Sequence, residues 1–284
     1  MKFRHLLLLP VAILASCSNE TPSTEGNDTL KNDTLQEKVE LLETNSSLPS
    51  PLRVAAMFKR SGLKYLPGIT FPVEKAAGYS TNFSKARIMG VYSADMAYNV
   101  LNKQTNEGQK CLKATRDIGT QINLGKVFDQ TNLFDRFNKN LDNEDSLGSI
   151  IAEIQYQTDL QLEQNQQNEL YGIIFSGAWV ESMYIGAQVY RKEGNDNIVQ
   201  ALFEQMAVLK NITEELNQYK DKDPAIEGWV TELNGLQAVF NELPSVKKLN
   251  ENQDLEFKDV TPKKDELEPL IKKIESLREL IIKG

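Results

Sequence analysis

The stretch Leu170–Tyr190, L-Y-G-I-I-F-S-G-A-W-V-E-S-M-Y-I-G-A-Q-V-Y, carries a single charged residue, Glu181. An apolar helix of this length is either a membrane span or the innermost helix of a bundle, because it has no polar face to give to water. A mid-helix acid costs about 2.5–3.5 kcal/mol at a bilayer centre, and Ser176, Ser182 and Gln188 add to that penalty. The pattern therefore predicts a core helix over 168–192. Ala178, Ser182 and Gly186, spaced by four, put small side chains on one stripe where a neighbouring helix can come close.

Outward from this helix the period stays helical. Ser50-Pro51 is a cap followed by proline at the first helical position, and Gly62 ends that short helix. The stretch to Tyr79, with Pro67, Gly68 and Pro72, reads as loop with one turn of helix. Helices are predicted over 82–104, with Phe83, Ala86, Gly90, Ala94, Ala97 and Leu101 on one face, and over 106–122. A short one carries Leu133, Phe134 and Phe137, and another spans 145–164. Beyond the core helix, Asn195 or Asp196 caps a helix carrying Ile198, Leu202, Met206 and Leu209. Asp223-Pro224 opens one with Ile226, Trp229, Val230 and Leu233, which Pro244 closes. Residues 245–260 read as irregular or as a small hairpin. A last helix over 262–282 carries Leu267, Leu270, Ile271, Ile274, Leu277 and Ile281, and Pro269 should kink it or mark its true start.

No alternating run is long enough for a central strand. The fold class predicted is all-α, a bundle of about seven to nine helices around a buried apolar central helix. Gly90-Val91-Tyr92 followed by Met96 echoes Gly177-Ala178-Trp179 followed by Met183, and two related four-helix halves would explain the echo.

The N-terminus, M-K-F-R-H-L-L-L-L-P-V-A-I-L-A-S-C, has a basic start (Lys2, Arg4) and an apolar run from Leu6 to Ala15, the pattern of an export signal. Leu14-Ala15-Ser16-Cys17 matches a bacterial lipobox, so residues 1–16 are expected to be removed and Cys17 to be lipidated. Residues 17–48 then form a polar tether, too poor in apolar side chains to order itself; extended, it would reach on the order of 100 Å. Residues 49–284 form a single all-α domain. Ser18 after the cysteine, with Glu20 nearly alone among nearby acids, favours an outer-membrane position facing the periplasm.

Removal of Lys2 and Arg4 takes the formal net charge from −8 to −10, a poor balance for nucleic acid. The charge is uneven: between residues 51 and 94, Arg53, Lys59, Arg60, Lys64, Lys75, Lys85 and Arg87 face Glu74 alone. Such a patch either docks on phosphate-rich lipid or an acidic partner, or pairs with the acidic helices of its own fold. The one histidine, His5, goes with the signal, and Cys111 is left as the only free thiol. Ser-His-Asp and Cys-His nucleophilic sites, Cys/His zinc sites and a disulfide framework are thereby excluded.

Phosphate and calcium loops fail on spacing. Gly119–Lys126 is one residue too long between its glycines, with Val127 where a hydroxyl is needed. Asp221, Asp223 and Glu232 lack the fifth ligand and the glycine of an EF-hand, and a helix cap explains them. No metal and no cofactor is expected. The leading candidate is Glu181, an acid in an otherwise uncharged helix, which is either paired with an Arg or Tyr of a neighbouring helix or has a raised pKa. Asp95 lies about 120° from the apolar centre of its own helix, near Ser84, Asn99 and Asn102, and is expected to be solvated. Should the two converge, they would suit glycoside hydrolysis or an oxygen-ligand metal. Tyr92, Tyr98, Trp179, Tyr184 and Tyr190 are read first as core packing and second as the wall of a ligand groove.

Asn82–Ala86 (N-F-S-K-A), Gly90–Tyr98 (G-V-Y-S-A-D-M-A-Y) and Gly177–Gly186 (G-A-W-V-E-S-M-Y-I-G) resemble segments of an uncharacterised family of all-helical Bacteroidetes lipoproteins. The resemblance covers the domain from about Leu48 together with the lipobox. It implies a Gram-negative envelope location and an all-helical domain, with no catalytic residues to carry over. The imelysin-like helical lipoproteins are set aside, because their metal-site signature needs histidine. The function expected is a lipid-anchored, non-enzymatic binding or interaction module facing the periplasm. Its partners would be the membrane, through its lipid, and an envelope protein or small ligand, with Glu181, Asp95, Tyr184 and Trp179 as candidate ligand residues. The alternatives are a carboxylate-dependent enzyme acting on envelope glycans and a carboxylate-only metal binder.

Overall fold

Ser50 accepts the Arg53 amide on its hydroxyl at 3.1 Å, and Pro51 takes the first position of α1 (Pro51–Arg60), so the cap and the proline act as their order in the sequence requires. The computed structural model describes residues 48–129, 132–252, 255, 259–260 and 262–284. The export signal, the lipidated Cys17 and all of the tether but its last residue lie outside the described residues. That last residue, Leu48, is buried at 2% exposure in the core, so the domain begins at or before it.

After a 3₁₀ turn at Val73–Gly78 come α2 (Asn82–Leu101), α3 (Thr105–Gln121), α4 (Gly125–Asp129), α5 (Leu133–Lys139) and α6 (Glu144–Gln164). They are followed by α7 (Glu169–Glu193), α8 (Asp196–Asn217), α9 (Pro224–Asn241), α10 (Pro244–Glu251) and α11 (Lys264–Lys283). No strand occurs among the described residues, and the fold is all-α. The expected seven to nine helices become eleven among those residues, because α4 and α10 are short helices that the sequence reading passed over. In place of the expected irregular or hairpin segment from 245, Pro244 serves as the first residue of α10. The Glu266 carboxylate then accepts the Ser245 amide at 2.6 Å and also the Ser245 hydroxyl, which ties α10 to α11. Helix α11 starts at Lys264 and runs on through Pro269.

The core has two innermost helices rather than one. Eighteen of the 25 residues of α7 and 17 of the 20 of α2 are buried. They pack on each other, with α1, α3 and α6 also against α2, α8 and α11 also against α7, and α9 bridging α8 and α11. Their crossing depends on two glycines. A Cβ on Gly90 would stand 2.0 Å from the Ile174 carbonyl oxygen, and one on Gly177 would stand 2.1 Å from that of Arg87. The echo between the Gly90 and Gly177 segments thus has a local physical reason, since each glycine clears the other helix's backbone. The predicted small-residue stripe serves two neighbours: Ala178 faces Gly90 of α2, while Gly186 is covered by the Phe58 ring of α1.

Helix α7 carries Glu169 in its first turn and Arg191 and Lys192 in its last, the charges its dipole favours, and Gly194 caps it at φ +70°. Among the described residues no helix is long and apolar enough to cross a membrane, in keeping with the core reading of this stretch.

Candidate functional site

Helix α11 runs antiparallel along α7, and polar pairs mark its register. Arg191 reaches Glu275 at 2.6 Å and Glu268 at 2.8 Å, and Gln188 donates to Glu275 at 2.6 Å. Further into the core, Arg278 Nε donates to Glu181 Oε2 at 2.7 Å and Nη2 to Oε1 at 3.0 Å, a bidentate fork. Glu181 is 0% exposed and Arg278 8%. The guanidinium carbon of Arg278 lies 4.0 Å from the centroid of the Tyr184 ring and 5.8 Å from that of Phe71. The expected partner for Glu181, an arginine on a neighbouring helix, is in place.

Asp95 is also 0% exposed, which overturns its expected solvation. The reason is tertiary. The segment leading into the 3₁₀ turn crosses that face of α2, and Phe71 donates its amide to Asp95 Oδ2 at 2.9 Å. The other oxygen, Oδ1, accepts from no donor, and the Asp95 and Glu181 carboxyls are hydrogen-bonded to each other. Two carboxyls can bond only if one of them holds a proton. Burial, then the adjacent Glu181 charge, push Asp95 well above the ordinary carboxylate range. Burial also raises Glu181, but Arg278 and the Asp95 hydrogen bond pull it back, so the proton belongs on Asp95 and the charge on Glu181. The arrangement is neutral overall: a carboxylic acid, a carboxylate and a guanidinium, closed in the core.

A pH dependence follows. A carboxyl whose folded pKa is raised contributes stability that is fully present below its unfolded value, near 3.8, and is lost as pH rises. Asp95→Asn keeps the shape, the acceptor for Phe71 and a donor for Glu181, but does not titrate. Denaturant unfolding of Asp95→Asn and the parent chain should give equal pH-dependent contributions below that pH. The variant should gain steadily on the parent as pH is raised to 8. A difference that stays flat across the range would mean that Asp95 is ionised in the fold.

The remaining candidates separate. Tyr184 adjoins the cluster through its ring. Trp179 is wholly buried, makes no hydrogen bond through Nε1, and fills core volume. Tyr92 donates to the Pro72 carbonyl at 2.9 Å, and the Tyr98 oxygen accepts the Leu66 amide at 2.6 Å. Burial pushes Tyr98 up to about 12 and Tyr92 higher still. These rings pack the core rather than line a groove. Cys111 is buried with its thiol raised by burial, the setting of an inert thiol.

The basic segment is used in part by the fold itself. Lys59 donates to Asn102 at 2.7 Å, Lys64 lies 3.4 Å from Glu193, and Lys75 stands 5.6 Å over the Phe71 ring. Arg87, buried between aromatic rings, is the exception. Two surface depressions lie elsewhere. One, of about 710 Å³, is polar and lined by Asn123, Lys126, Asp129, Gln161 and Asn165. The other, of about 460 Å³, is apolar and lined by Ala238, Val239, Leu243, Pro244 and Pro269 with three acids at its rim. Neither is lined by Asp95, Glu181 or Arg278.

Sequence reasoning missed Arg278 and Arg87. Arg278 had a signal, since it falls four residues after Ile274 and three before Ile281, inside the apolar stripe of its helix. Arg87 had a weaker one, as a charge one position after Ala86 on a helix read as one-sided. Set against protein-family models, curated proteins and solved structures, the chain matches none of them.

Proposed function

We propose that the chain is a lipid-anchored, non-enzymatic binding or interaction module of the bacterial cell envelope, held on the outer membrane and facing the periplasm, of the kind its Bacteroidetes-like segments suggest. The observation that carries the non-enzymatic part is the closure of the Asp95–Glu181 pair. A two-acid glycosidase keeps its carboxyls about 5–9.5 Å apart, with room for a sugar and a water. Here they are hydrogen-bonded to each other, at 0% exposure, with Arg278 on both Glu181 oxygens. The guanidinium already occupies both Glu181 oxygens, which also argues against a carboxylate-only metal site. The anchor is supported by the basic start, the apolar run and the small residues in register before Cys17.

The test is affinity purification of the tagged chain, at native level, from crosslinked envelopes of its own host, beside a Cys17→Ala variant. The expected result is a stoichiometric envelope partner in the first sample and its loss in the second. A chain that comes out alone and hydrolyses envelope glycan, with that activity gone in a folded Glu181→Gln variant, would sink the proposal.

A further inference from the structure

Two arginines are buried near the junction of α2, α9 and α11, and the fold treats them differently. Arg278 has a bidentate carboxylate. Arg87, 7% exposed, has no carboxylate against it among the described residues. Its guanidinium carbon lies 4.4 Å from the centroid of the Phe83 ring and 5.0 Å from that of Trp229, and its Nε is buried without a hydrogen-bond partner. Guanidinium donors point out in the plane of the group, so rings stacked on its face ease the charge and leave the donors unused.

The polar groups around these rings are committed elsewhere. Trp229 Nε1 donates to Ser176 Oγ at 2.9 Å, and Ser176 donates to the Ile173 carbonyl at 2.8 Å. The Tyr79 hydroxyl, whose charge state Arg87 influences, donates to the Ile282 carbonyl at 2.9 Å. Burial lowers Arg87 only to about 10, so it is a cation at neutral pH. Buried charges in folded proteins are normally paired, and the same core pairs Arg278 with the Glu181 carboxylate.

We propose that Arg87, walled by Phe83 and Trp229, is an oxyanion-recognition site whose in-plane donors take the carboxylate or phosphate group of a small ligand. The proposal deepens the binding reading above and rests on it. The two fail separately: catalysis by the chain would leave binding at Arg87 measurable, and a silent Arg87 would leave the anchored partner to be found.

The experiment uses the full chain labelled with nitrogen-15, in which two tryptophans give two indole N–H signals. It is titrated with sodium phosphate and, separately, with sodium acetate, each against sodium chloride at matched ionic strength. The expected result is a saturable shift of the Trp229 indole signal, with that of Trp179 still. Melting temperature should rise by about 3–5 °C at roughly tenfold above Kd. Both effects should vanish in Arg87→Met. They should need at least about tenfold more ligand in Arg87→Lys, which keeps a cation over the rings and loses the planar fork. A response to phosphate alone assigns a phosphate group and a response to acetate alone a carboxylate, and either upholds the site. No saturable response to either probe overturns it, as does an equal response in Arg87→Met. Should the methionine variant not fold, unchanged affinity in Arg87→Lys overturns it.

Discussion

Arg278→Met should lower the free energy of unfolding by about 3–5 kcal/mol, because it leaves the Glu181 carboxyl buried without its counter-charge. The lost fork is only part of that figure. Most of it is the stranded carboxylate, which is closed off from bulk solvent at 0% exposure and whose neighbour Asp95 already holds a proton. Urea unfolding followed by circular dichroism measures the effect. The double variant Glu181→Leu with Arg278→Met should recover most of the loss, since the charge and its partner leave together. A loss below about 1 kcal/mol in the single variant would place the pair in the range of solvated surface bridges, against the closed geometry described here.

Gly177→Ala should be comparably damaging, although it adds one methyl group. The new Cβ would stand 2.1 Å from the Arg87 carbonyl oxygen and 2.9 Å from its carbonyl carbon, and neither atom can swing aside as a side chain can. Helices α2 and α7 would have to separate along the most buried interface of the fold. Overpacking usually costs about 1–3 kcal/mol and occasionally more, and a backbone obstacle belongs at the upper end. The helix-forming advantage of alanine, about 1 kcal/mol, works the other way and is too small to offset it. Gly228→Ala is the control. That glycine is on the exposed face of α9 with nothing within 4 Å of the added carbon, so its substitution should stabilise by roughly 0.5–1 kcal/mol. Equal melting temperatures for the two variants would show that the glycine crossing is not tight.

The helices were legible where their signals are local. Ser50, Asn195 and Asp223 cap the helices that their positions announce, accepting the amides of Arg53, Asn197 and Ala225. What failed was whatever depended on a second segment. Helical phase placed Asp95 off the apolar face of α2, correctly for an isolated helix. It carries no information about Phe71 or α11 arriving to cover that side. Arg278 was hidden by its type, since a charge inside an apolar stripe reads as an interruption until its counter-charge on another helix is known. Pro244 was read as a stop for one helix when it is also the start of the next, a double meaning that a single proline always carries. Phe83 and Arg87, four apart on α2, share a face by spacing alone, but Trp229 joins them only through the packing of α9 near α2, which no spacing within either helix foretells.

The Glu181–Arg278 fork also sets an order in time. Its two halves are 97 residues apart, so the acid waits on a helix that is distant in sequence before it is paired. Until α11 docks, closing α2 and α7 dry around Glu181 costs either an unpaired charge or a second proton in the core. The fork thereby makes the dry closure of the α2–α7 core conditional on α11 being in place.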